Sequence, residues 1–186
     1  SWRQHRQSLQ RGRSVGAMDA ITLMLDLAQR PLDAAGSLRP QLTHEKLNAH
    51  PGGHDNSIAW LLWHTAREID AQVAQLSGDE LIWTAQGFDA RFGLDVDDDE
   101  IGFGHSPEQA RAVVVTDVAL LFEHLEAVVA AQKAYISSLS AADLDDVVDE
   151  SWDPPVTRGA RLVSCTEDAL LHLGQALYVA GMTSLG

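Results

Sequence analysis

Residues 166–181 read Thr166-Glu167-Asp168-Ala169-Leu170-Leu171-His172-Leu173-Gly174-Gln175-Ala176-Leu177-Tyr178-Val179-Ala180-Gly181. The run has the period of a helix, and Asp168 and His172 stand four residues apart. That spacing puts a carboxylate and an imidazole on one face, one turn from each other. The same side carries Leu171 and Ala176, and ionisable groups seldom enter a core without partners. A metal ion would account for both, because cations take carboxylate and imidazole ligands. Two ligands cannot hold it, so a third is expected from elsewhere in the chain.

The third candidate comes from the segment that Asn56 can cap and Gly78 can close. Ile58, Leu61, Leu62, Thr65, Ile69 and Val73 form an apolar side, and Trp60, His64, Arg67 and Ala71 form the stripe beside it. His64 therefore borders the core face. Alone, such a residue reads as a hydrogen-bonded packing histidine; set against Asp168 and His172 it becomes the third ligand. His124 and Glu123 are expected on a wetter face, next to Glu126 and Lys133. His105 reads as a loop residue at the mouth of a site.

Two further segments complete a helical pattern. Met18–Gly36 has apolar residues at the helical period, with Gly36 as its stop and a kink or restart expected at Pro31. Ser106-Pro107-Glu108-Gln109 is a helix start with a capping box, and the periodicity predicts one helix from there to about Ser138. Val113, Val114 and Val118 are expected inward. A short helix is expected around Glu80–Phe88. The aspartate-rich run Asp95–Glu100 lacks the spacing and central glycine of a calcium loop and reads as a solvated acidic loop. Ser140–Pro155 is an acidic crossover ending in Pro154-Pro155, in which Trp152 should plug an apolar gap or wall a pocket. The fourth helix is expected to start near Thr157. The fold class is all-α: a four-helix bundle with long crossover connections.

The chain has 186 residues, 45% of them apolar, which suits one domain at 18–186. Residues 1–17 carry four arginines and no acid; with −14 on the whole chain and +4 here, the rest carries −18. This stretch is read as a disordered extension or vector-derived remnant, with Met18 the expected start of the fold. A body so acidic repels phosphate backbones and anionic membranes, which excludes nucleic-acid and membrane partners. One cysteine, Cys165, excludes an intrachain disulfide, and no signal or spanning segment is evident, so a cytoplasmic protein is expected.

Several spaced motifs resemble one known family. Ser57-Ile58-Ala59-Trp60-Leu61-Leu62-Trp63-His64 with Arg67 resembles the second helix of the DinB-like and YfiT-like metal-binding bundles. Trp152-Asp153-Pro154-Pro155-Val156-Thr157-Arg158-Gly159, then Arg161–Ser164, Asp168, His172–Gln175, Tyr178 and Gly181, together with Gly102–Ser106, is similar to the actinobacterial branch. The resemblance covers about 18–186. It implies a core metal triad, falling here on His64, Asp168 and His172, and a homodimer. Asp168 departs from the three-histidine version, and isomerase-like members have an acid there. The family includes S-transferases that use mycothiol or bacillithiol and a mycothiol-dependent maleylpyruvate isomerase.

Two imidazoles and a carboxylate leave coordination positions open, as catalytic sites do. Zinc is the expected metal, with nickel, iron(II) or manganese accepting the same donors. The activity implied is transfer of a mycothiol-like thiol to an electrophilic small molecule. A metal-dependent hydrolase and a non-catalytic metal-binding stress-response protein are the alternatives. No Ser-His-Asp arrangement is evident. Trp60, Arg67, Trp152, Cys165, Gln175 and Tyr178 are the candidate substrate and thiol contacts, although Cys165 also reads as an inert buried thiol.

Overall fold

A computed structural model of the chain describes residues 18–182, so the reading of residues 1–17 lies outside what it describes. Four long helices build the bundle: α1 (Ala20–Leu38), α3 (Ile58–Ser77), α7 (Val118–Ser137) and α8 (Arg158–Ala180). Short helices α2 (His44–Leu47), α4 (Ile82–Ala85), α5 (Phe88–Phe92) and α6 (Pro107–Ala112) lie in the connections. α1 and α3 each pack against both α7 and α8. The all-α bundle expected from periodicity is what the chain forms. Among the described residues no helix is long and apolar enough to cross a membrane.

α3 is the centre of the molecule. Ser57–Asp70 is buried without interruption, with α7, α8, α4 and α2 packed against the helix and the segment 98–105 bonded to its Trp60, His64 and Arg67. Ser57, rather than Asn56, caps it, accepting a hydrogen bond from the Trp60 amide at 3.1 Å. Gly78 ends it at φ +80°, a conformation that costs glycine nothing. All-round burial puts His64, Arg67, Glu68 and Asp70 inside the protein, where each needs a partner.

Three boundaries differ from the sequence-based expectation. α1 runs through Pro31 and past Gly36, ending in the turn Arg39–Gln41. Pro31 belongs to the buried stripe Met24, Ala28, Pro31, Ala35 and Leu38, whose packing offsets a lost backbone bond costing about 3 kcal/mol. The third helix is two helices. α6 keeps the capping box, but Val113-Val114-Val115-Thr116 is a β-branched run that disfavours helix. Asn48 pins it: its side chain donates to the Val115 carbonyl at 2.7 Å and accepts from the Val115 amide at 3.1 Å. Asp117 then caps α7, and Val114, expected inward, is exposed.

The crossover holds a small antiparallel hairpin, β1 (Val147–Asp149) with β2 (Val156–Thr157). Its edge leads directly into Thr157, the cap of α8. Trp152 lies at the tip of this hairpin with 65% of its surface exposed, so it neither plugs a gap nor walls a pocket.

Candidate metal centre

α3 and α8 lie side by side, and each offers two ionisable groups one turn apart: His64 and Glu68 from α3, Asp168 and His172 from α8. One potential ligand atom from each of His64, Glu68 and His172 lies within 4.8 Å of the other two. The two imidazole centroids are 4.6 Å apart at 72°, and His172 Nε2 is 3.7 Å from Glu68 Oε2. Asp168 lines the same cavity and approaches Glu68 within hydrogen-bonding reach, but it is not one of the three mutually close groups.

The polar atoms show a site with something to gain from a cation. Among the described residues, Glu68 Oε2 and His172 Nδ1 are both buried without a hydrogen-bond partner. The other Glu68 oxygen accepts from Gln72 Nε2 at 3.0 Å. His64 Nδ1 donates to the Ile101 carbonyl, which leaves the Nε2 lone pair free. That second bond is the usual device for holding a metal-ligating imidazole in one tautomer. Burial pushes His64 down to about 4, so it is a neutral donor at physiological pH. Burial, then the neighbouring Asp168 charge, pushes Glu68 up to about 8. Two carboxylates so close need a proton or a cation between them. The residues therefore fit a divalent ion: two imidazoles, a buried carboxylate with an orphan oxygen, and a second carboxylate beside it.

The cavity that opens on these groups encloses about 520 Å³. Trp60 forms one wall and stacks on His64, with centroids 4.5 Å apart at 22°. The segment Ile101–His105 also lines the cavity, with Phe103 90% exposed. His105 does line the mouth, accepting from Trp60 Nε1 at 3.1 Å and donating from Nε2 to the Glu100 carboxylate.

The other sequence candidates fall elsewhere. Arg67 is fully buried and turned to the acidic loop, donating to the Asp98 and Glu100 carbonyls, with its guanidinium 4.4 Å over the Trp83 ring. The loop Asp95–Glu100 is thus anchored through its backbone. Cys165 is buried beside Gln132, and burial pushes its thiol pKa up, which keeps it inert. Trp152, Gln175 and Tyr178 are exposed and lie outside the cavity lining. His124 is wholly buried against Trp83, Phe88 and Phe92, contrary to the wetter face expected for it.

Glu68 was not among the sequence candidates. Its signal is the His64-x-x-x-Glu68 spacing, which mirrors Asp168-x-x-x-His172 on the facing helix. An amphipathic reading of α3 hid it, since a glutamate off the apolar stripe is ordinarily solvated.

Comparison with known proteins bears on the same architecture. Residues 32–176 match the DinB superfamily. The crystal structure of a conserved protein from Enterococcus faecalis is similar over 88% of this chain and 96% of that one, with 38% identity and a TM-score of 0.81. None of the curated proteins matches the sequence. Family and fold agree across most of the chain, which belongs to the DinB superfamily.

Proposed function

We propose that the chain holds a divalent cation between α3 and α8 and uses it to transfer a low-molecular-weight thiol, of the mycothiol kind, to electrophilic small molecules. His64 and His172 are the nitrogen ligands in this reading. Glu68 and Asp168 are the carboxylates, sharing between them the place that the sequence alone assigned to Asp168. Zinc is the first choice for this donor set, and nickel, iron(II) and manganese accept it too. The observation that carries the reading is the convergence within 4.8 Å of one potential ligand atom each from His64, Glu68 and His172, with Glu68 Oε2 and His172 Nδ1 buried and unpartnered among the described residues.

A bound divalent cation supplies thiolate at neutral pH, because it lowers the pKa of a coordinating thiol. The chain supplies the rest. The thiol proton leaves to solvent through the open edge of the cavity, beside Asp168. Trp60 and Phe103 offer apolar surface to the carbon skeleton of the electrophile. The S–C bond forms as the bond from carbon to its leaving group breaks, so no oxidant or reductant is needed. The motifs of α3 and the crossover resemble DinB-like and YfiT-like bundles, a superfamily whose members include thiol S-transferases, and this favours the chemistry over hydrolysis. A homodimer in a reducing, cytoplasmic setting belongs to the same proposal.

The test pairs metal analysis with two assays. Thiol-dependent consumption of monobromobimane, lost on chelation and restored by zinc, is the expected result. Ester turnover without added thiol would replace the proposal with a hydrolase. Stoichiometric metal with neither activity would leave a metal-binding protein.

A further inference from the structure

Four residues of α3 on one face, Trp60, Trp63, His64 and Arg67, all engage the same short segment, residues 98–106. Arg67 Nε donates to the Glu100 carbonyl at 3.2 Å, and its Nη2 donates to Glu100 at 3.1 Å and to the Asp98 carbonyl. The next carbonyl along, Ile101, accepts from His64 Nδ1. Gly102 follows at φ +94°; a Cβ there would stand 2.9 Å from Trp63, 3.0 Å from His64 Nδ1 and 3.1 Å from Trp60. His105 closes the segment, stacked on Trp63 at 5.7 Å and bonded to both Trp60 Nε1 and Glu100.

We propose that residues 98–106 are a strap whose purpose is to fix the tautomer and ring direction of His64, with Arg67 and Gly102 as its positioning residues. The guanidinium holds two carbonyls, and the chain geometry then delivers the third, Ile101, to Nδ1. Gly102 lets the backbone come close enough for that bond, which no residue with a side chain allows. With Nδ1 committed as a donor, Nε2 alone carries a lone pair toward Glu68 and His172. This accounts for a fully buried arginine that does not line the cavity and whose guanidinium, 3.8 Å from the Asp70 carboxylate, makes its shorter bonds to the carbonyls of the strap. The purpose given to the strap rests on the metal reading above; its geometry does not.

The experiment uses Arg67→Met and Gly102→Ala, which release the strap from opposite sides. Zinc affinity is read by competition with a chromophoric chelator. The tautomer of His64 in metal-free protein is read from imidazole ¹⁵N–¹H spectra, assigned by their loss in His64→Ala. The expected result is a rise in zinc Kd of about 10–100-fold in both variants, the usual cost of losing support behind a ligand. It is accompanied by replacement of the single Nδ1–H form by a mixture. A His64 that keeps its Nδ1–H form in both variants overturns the proposal, even if affinity falls. A changed tautomer with unchanged affinity overturns it too. Should Arg67→Met fail to fold, Gly102→Ala decides alone. Wild-type protein that takes up no zinc defeats the metal reading, and the spectra then still decide whether the strap sets the tautomer.

Discussion

Replacing Glu68 by Gln should make the metal-free protein more stable and the metal-loaded protein less so. Burial and the adjacent Asp168 raise the Glu68 pKa from 4.5 in the unfolded chain to about 8 in the folded one. A raised folded pKa means stability that is complete below the unfolded value and lost as pH rises through the folded one. Fully titrated, a difference of this size is worth about 5 kcal/mol, and close to pH 7.5 about 4 kcal/mol of it is already lost. Relaxation around the carboxylate reduces this, so a gain of about 2–4 kcal/mol is expected for metal-free Glu68→Gln near pH 8. Gln keeps the shape but does not titrate. Urea unfolding of chelator-treated protein between pH 5 and pH 8.5 measures it: wild type should weaken across that range and the variant should stay flatter. Zinc reverses the order, because a ligand at 1,000 times its Kd adds about 4 kcal/mol to the protein that binds it. Metal-free variant and wild type with the same pH slope would refute the reasoning.

Two further outcomes concern buried polar groups outside the cavity. His124 is held neutral by burial, pushed down to about 3 from 6.5, so its share of stability is intact above pH 6.5 and drains as pH falls toward the folded value. His124→Leu should therefore remove about 2 kcal/mol of the destabilisation seen between pH 7.5 and pH 5 in urea melts, and an unchanged pH dependence would contradict this. Asp70 accepts from the Ile82 and Trp83 amides, both at 2.8 Å, and faces Arg67. Asp70→Ala should cost about 2–4 kcal/mol in chemical denaturation by orphaning two amides and weakening the compensation of a buried charge; a loss under about 0.5 kcal/mol would show that water replaces it.

Much of the architecture is legible in the sequence, because helix starts and periods are local. Ser106 with Gln109, Thr157 before α8 and Gly78 after α3 are short-range signals, and each does its job in the structure. What misleads is context. Pro31 and Gly36 are breakers only where packing does not overrule them, and both sit within a helix held by α7 and α8. The break at Val113–Thr116 depends on Asn48, 67 residues from Val115, which no local window contains. His124 looks wet beside Glu123 and Glu126, yet α4 and α5 fold aromatic rings over it.

The site shows the same division. His64 and His172 are readable because an imidazole at a core edge needs a reason, and the structure brings the two together. Glu68 is invisible until α3 is known to be buried on all sides, since only then does a glutamate one turn from His64 lack water. Arg67, taken for a contact at the site, shares the face of His64 but is taken up by the acidic loop, whose backbone carbonyls receive its guanidinium. Trp152 is conspicuous in sequence but stands exposed at the hairpin tip, away from the cavity lining, among the described residues.

The central claim is that His64 and His172, from two helices, share one cation. Metal-depleted protein titrated with zinc, wild type beside His64→Ala and His172→Ala, tests it with no assumption about substrate. The account predicts a single tight equivalent in the wild type and an affinity at least about 100-fold weaker in each variant, both still folded by circular dichroism. Undiminished binding in both variants would contradict it.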